Sequence, residues 1–271
     1  MRFANRHLKE SEDMVHQLNI KRKKWIQISK MLGVIGLLSH FCAVMADAVP
    51  IYESRGDHYR TGVNLHETLL NTSNVNPANF GLMFTLPVNG NISNELLYVP
   101  HLTINNAIHN VIYVTTRTSM VYAYDADRPG PALWIKKLNG GIKSTPVIDP
   151  NSKTLYLVTQ NPPIPPYQFS IHALDLISGA EKFGAPKTMP GNFGALKLTD
   201  QALQQHAGLT LVNNHLIIAF AGYNEDLDTT YHGWVSAYNA GNLQLVKSFS
   251  PLGMPPATGG GIWQGGRAPV C

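Results

Sequence analysis

Two cysteines in 271 residues, Cys42 and the terminal Cys271, exclude both a disulfide scaffold and a zinc framework. Charge is scarce as well, at 14% Asp, Glu, Lys and Arg, and beyond the first 46 residues no stretch has the periodicity of an amphipathic helix. The spacings Gly-x-Ser-x-Gly, His-Glu-x-x-His, Cys-x-x-Cys and Cys-x-x-Cys-His are all missing. Their absence removes the motif-marked routes to a hydrolase nucleophile, a zinc protease, a dithiol redox centre and an attached haem. Gly259-Gly260-Gly261 lacks both the GxGxxG spacing and a following helix, so it is no nucleotide loop. What remains is 44% hydrophobic, with 23 Gly and 18 Pro, a composition suited to short strands joined by turns.

The net charge of +4 is local. Residues 1–46 carry eight basic and three acidic side chains, which leaves 13 basic against 14 acidic in the remainder. A nucleic-acid partner is therefore not expected. The basic cluster Lys21-Arg22-Lys23-Lys24 precedes an apolar run, Met31 to Met45, that ends in the small residues Ala46, Asp47 and Ala48. That order predicts a secretory signal cleaved after Ala46 or Ala48. The alternative is an uncleaved membrane anchor. Either way the rest of the chain is expected outside the cytoplasm, in the periplasm or beyond the cell. Cys42 follows His40 and Phe41, where a lipidation site needs small residues. Residues 1–20 read as a disordered extension, 21–48 as signal or anchor, 49–94 as a segment with a strand, and 95–271 as repeats.

The repeats are three. Val111–Thr115 and Met120–Asp125 lead through a Pro/Gly turn to Leu133–Ile135. Thr154–Val158 and Ile171–Asp175 lead through Ser178-Gly179 to Glu181–Phe183. Leu216–Phe220 and Trp234–Asn239 lead through Gly241-Asn242 to Leu243–Val246. Aligned on Ala123, Ala173 and Ala237, the units are 50 and 64 residues apart, and each opens with a further short strand: Leu96–Val99, Ser144–Ile148, Leu209–Val212. Four short antiparallel strands per unit predict an all-β fold of propeller blades, three blades and the start of a fourth.

These residues resemble the blade repeat of the quinoprotein-like (PQQ-repeat) β-propellers, whose signature is Ala-x-Asp-x-x-Thr-Gly-x-x-x-Trp. Ala173, Asp175, Gly179 and Phe183 follow it with Ser178 for Thr and Phe for Trp; Ala123, Asp125 and Trp134 follow it with a different turn; in the third unit Asn239 replaces Asp. The resemblance implies that the Asp caps a turn and that the terminal aromatic docks between blades. Arg60-Thr61-Gly62-Val63-Asn64, Tyr231–Val235 and Gly260–Gln264 further resemble segments of an exported bacterial subgroup. Members of the family continue past the Gly-Gly-Ile-Trp-Gln segment, so a fragment is expected here, and its open arc would be prone to self-association.

Active dehydrogenases of this family combine pyrroloquinoline quinone, a calcium ion, a catalytic Asp and an adjacent Cys-Cys pair, and the last is lacking. No catalytic residue and no cofactor are predicted. Quinone and calcium enter only if the chain is part of an inactive oxidoreductase. The preferred expectation is a non-enzymatic binding or scaffold module for an envelope protein or a glycan. His232, Trp234, Trp263, Gln264 and Arg60 are the ligand-face candidates, with Arg60 expected to bind turn carbonyls. Glu225, Asp226 and Asp228 alternate as hard-cation ligands do, but without the rest of a calcium loop they predict a solvated acidic loop.

Overall fold

A computed structural model describes residues 48–161, 168–190, 192–193, 196–197, 203–222, 231–253 and 259–270. The leader, the candidates Glu225, Asp226 and Asp228, and Cys271 lie outside the described residues. Among the described residues fifteen strands run in chain order: β1 Leu97–Ile104, β2 Ala107–Thr115, β3 Met120–Asp125, β4 Trp134–Lys137, β5 Val147–Asp149, β6 Thr154–Asn161, β7 Gln168–Asp175, β8 Lys187–Thr188, β9 Asn192–Phe193, β10 Leu196–Lys197, β11 Leu203–Gln204, β12 Thr210–Val212, β13 His215–Gly222, β14 Trp234–Asn239 and β15 Leu245–Phe249. Among the described residues the only helical element is a single 3-10 turn, Gln264–Gly266.

Blade 1 is the sheet β1-β2-β3-β4 and blade 2 the sheet β5-β6-β7-β8; in blade 3, β13, β14 and β15 follow an inner strand split into β11 and β12, which both pair with β13. All pairings are antiparallel, and β9 and β10 form a separate two-stranded ladder. Ala123, Ala173 and Ala237 sit at the same place in the third strand of successive sheets, opposite Tyr113, Tyr156 and Ile217. The fold class read from the repeats is the fold observed.

Alternation explains the packing. In blade 2, Tyr156, Val158, Ile171 and Ala173 share one core with Leu216, Ile218, Phe220 and Trp234 of blade 3. The intervening Leu155, Leu157 and Leu174 share another with Leu97, Val111, Tyr113 and Val121 of blade 1. A strand buried on both faces needs apolar residues at successive positions, hence the run Leu155-Tyr156-Leu157-Val158. Each large aliphatic side chain so buried contributes ~2 kcal/mol. The other face of blade 1 is covered by residues 86–89, where Leu86 and Val88 pack on Tyr122 and Tyr124 and the Tyr124 hydroxyl donates to the Pro87 carbonyl.

A repeated bond pins each blade to its successor. The Tyr113 hydroxyl donates to the Leu176 carbonyl (2.8 Å) and the Tyr156 hydroxyl to the Ala240 carbonyl (3.0 Å). Donor and acceptor hold corresponding positions, the tyrosine opposite the repeat alanine and the carbonyl one residue past the Asp or Asn. Leu176 also accepts from Trp134 Nε1 (3.0 Å), so losing Tyr113 leaves that acceptor satisfied. We expect Tyr113→Phe to cost ~1 kcal/mol and Tyr156→Phe ~2 kcal/mol in urea unfolding. The reverse order would contradict the shared acceptor.

Three local departures have physical causes. The outer strand of blade 2, expected at Glu181–Phe183, is reduced there to a bridge from Glu181 to Leu174 and resumes as β8. Phe183 and Gly184 both take positive φ (57° and 74°) and break the extended backbone. Phe183 consequently stays 36% exposed, whereas Trp134 at the matching place packs on Gly179. The strand expected within residues 49–94 is the single bridge Ile51 to Tyr98. In blade 3 the outer strand begins at Leu245 rather than Leu243, which has φ 57°.

Candidate functional site

The inner strands begin close together. Ser93 Oγ donates to the Lys143 carbonyl (3.4 Å), and the Glu95 N–H to Thr145 Oγ1 (3.1 Å). The Leu209 N–H donates to the Thr145 carbonyl (2.9 Å), and the Gly208 N–H to the Arg267 carbonyl (2.7 Å). The entry segments of all three blades thus join a fourth segment, 264–270. Residues 51–60 cross their inner edge. Ile51 exchanges two backbone bonds with Tyr98 (both 2.9 Å), and the Tyr52 carbonyl accepts from the Ile148 N–H (2.7 Å).

Arg60 fixes this arrangement. Its side chain is 5% exposed and ion-paired through Nη1 to Glu53 Oε2 (2.5 Å). Nη1 also donates to the Ser54 and Asp57 carbonyls, Nη2 to Thr210 Oγ1 (2.8 Å), and Nε and Nη2 to the Pro269 carbonyl (3.2 and 2.9 Å). A planar fork with five donors matches such a set, and every group it could offer a ligand is already engaged. Arg60 is a clamp.

Beside the clamp the entry segments carry buried polar atoms without partners: both ends of the Asn94 amide, Ser144 Oγ, Gln205 Oε1 and His206 Nδ1. Buried polar atoms are normally satisfied, so these orphans on adjoining segments stand open to a further donor or acceptor. The His206 ring stacks on Trp263 (centroids 4.7 Å apart, 25° between planes), and Trp263 is 37% exposed. Burial first, then the charges of Arg117 and Lys143, hold the His206 imidazole below its ordinary pKa. Gln264, next to Trp263, takes φ 50° in the 3-10 turn.

The sequence candidates are therefore separated. Trp263 and Gln264 lie at the entry face. Trp234 is 2% exposed in the core shared by blades 2 and 3. His232 is half-buried and bridged to Gly259 on the segment that continues to Trp263. Asp125, Asp175 and Asn239 each accept a backbone N–H two residues on, from Asp127, Ile177 and Gly241 (3.0, 3.1 and 2.9 Å). No motif marks Asn94, Ser144, Gln205 or His206, which fall at the ends of apolar strands or in the irregular run before β12.

A hydroxyl–imidazole–carboxylate chain also escaped notice. Thr159 Oγ1 meets His172 Nε2 at 3.0 Å, and His172 Nδ1 meets Glu181 Oε1 at 2.7 Å. The spacing is that of a nucleophile, a base and an orienting acid. Thr159 is 1% exposed, so no substrate reaches it, and the chain instead ties Glu181 to the body of blade 2.

No family model and no curated protein matches the sequence. Solved structures do match in three dimensions. Quinohemoprotein alcohol dehydrogenase from Comamonas testosteroni superposes with a TM-score of 0.51 at 16% identity, over 77% of this chain and 28% of that one. A europium-containing methanol dehydrogenase gives 0.50 at 15%, over 75% and 32%. The fold is that of β-propeller blades. The chain spans under a third of either structure's length.

The quinone and calcium that the repeat resemblance implies would need oxygen donors at the entry face. Calcium takes six to eight oxygens, with carboxylates prominent. The entry face offers amides, hydroxyls and an imidazole, and its carboxylate, Glu95, already accepts from Ser54 Oγ (3.0 Å) and the Arg55 N–H (2.7 Å). Among the described residues no three His, Cys, Asp or Glu converge on one point. The donor set does not fit a calcium-bound quinone.

Proposed function

We propose that this propeller arc is exported and works by binding, with a glycan as the ligand that its entry face suits. The stacked Trp263 and His206 rings, with the orphaned Asn94 amide on an adjoining entry segment, carry the reading. Aromatic faces take the apolar face of a sugar ring, and amides with both ends unpaired match vicinal hydroxyls. The basic leader with its apolar core supports export.

The test is calorimetric titration of the purified chain with a panel of envelope oligosaccharides. At least one should bind, and Trp263→Ala should weaken that binding at least ~10-fold while leaving Tm unchanged. Binding indifferent to Trp263→Ala and His206→Ala would refute the assignment. The competing reading, an inactive piece of a quinone-dependent oxidoreductase, draws on the likeness of fold. The same preparation, given pyrroloquinoline quinone and calcium, should show no dye reduction with alcohols or aldoses. Turnover abolished by a substitution in this chain would replace the binding reading.

A further inference from the structure

A separate cleft lies between blades 1 and 2, with a volume of about 550 Å³. Its walls are the β2–β3 hairpin (Arg117), the blade-to-blade connection from Lys137 to Lys143, and the end of β6 (Gln160, Asn161). Gly140 and Gly141 let the connection pass tightly between the other two. A Cβ on Gly140 would come within 2.7 Å of the Gln160 carbonyl, and one on Gly141 within 2.7 Å of the Arg117 carbonyl. The charged residues lining the cleft are Arg117, Lys137 and Lys143.

Gln160 is the decisive residue. Its backbone is fixed by two bonds exchanged with Gly141, both 3.0 Å. It is only 6% exposed, yet neither end of its side-chain amide has a partner. A buried amide left open is unfavourable, and here it stands in the wall of a cleft bordered by cations. Arg117 supplies a planar fork suited to two oxygens of one group, and Lys137 a mobile point charge.

From the Gln160 amide and the flanking Arg117 and Lys137 we infer that this cleft binds a tetrahedral oxyanion, a phosphate or sulfate group, by charge-assisted hydrogen bonds. Burial and the Arg117 charge bring the Lys143 ammonium down to about 8, as an added anion would reverse. Trp263 and His206 are not among the residues lining this cleft, and the inference does not rest on the glycan reading.

The experiment is titration of the full chain with inorganic phosphate and with sulfate, in low-salt bis-Tris propane chloride buffer at pH 7. Wild type should bind at least one of them, and Arg117→Gln, at an exposed position, should weaken that binding at least ~10-fold without changing Tm. Gln160→Leu should do the same; if it fails to fold, Arg117→Gln and Lys137→Gln carry the test alone. Trp263→Ala should leave oxyanion binding intact, which separates failure here from failure at the entry face. Glucose 6-phosphate binding ~10-fold more tightly than phosphate would identify a phosphosugar as the source, and equal affinities the free ion. No heat of binding with either anion, or full binding in Arg117→Gln, overturns the inference.

Discussion

Arg60→Ala should lower the stability of the arc by ~3–5 kcal/mol, the loss seen when one member of a buried ion pair is removed. The remaining carboxylate, Glu53, would keep only His58 (3.1 Å), and the Pro269 carbonyl would lose two donors. Thr210 and residues 53–57 would lose their common attachment. For a domain of this size ~1 kcal/mol moves Tm by about 2–4 °C, so a drop of roughly 10 °C is expected by calorimetry. Arg60→Lys should recover little of it, because an ammonium cannot face Glu53, Thr210 and Pro269 together. A Tm within 2 °C of wild type for the alanine variant would show that residues 51–60 are not needed to hold the three blades.

Trp234→Ala is the second large effect, and it separates the two tryptophans that the sequence grouped. Truncating a fully buried tryptophan costs ~3–5 kcal/mol. Trp234 packs among Phe220, Tyr238 and Ile171 where blades 2 and 3 meet, so urea unfolding should shift strongly. Trp263→Ala should move the same transition by no more than ~0.5 kcal/mol. Equal effects of the two substitutions would mean that Trp263 is core as well.

The sequence read the blades well because their signal is local. The Ala-x-Asp/Asn ending of Met120–Asp125, Ile171–Asp175 and Trp234–Asn239 recurs within single strands, and all three are third strands. A further marker was there to be used. Asn105-Asn106 and Asn213-Asn214 each turn an inner strand into the next with φ near 50–60°, as a two-residue hairpin requires. Alternation alone would have moved Trp234 off the ligand face, since it shares a strand side with Ser236 and Tyr238, both buried. The clamp and the clefts were beyond reach for another reason. Arg60 meets Thr210 and Pro269 across 150 and 209 residues, and Gln160 acquires its role only when Gly141 and Arg117 close around it. No short window contains those neighbours.

The tyrosine pins also set a timetable for synthesis. Tyr113 and Tyr156 reach forward across 63 and 84 residues to their carbonyls. A ribosome adding about 5–20 residues per second would deliver Leu176 roughly 3–13 s after Tyr113. Each blade therefore emerges before the turn that locks it, and for those seconds one apolar flank stays open to whatever it meets. A chaperone that engages this chain during synthesis should hold it longest at the flank of the newest blade.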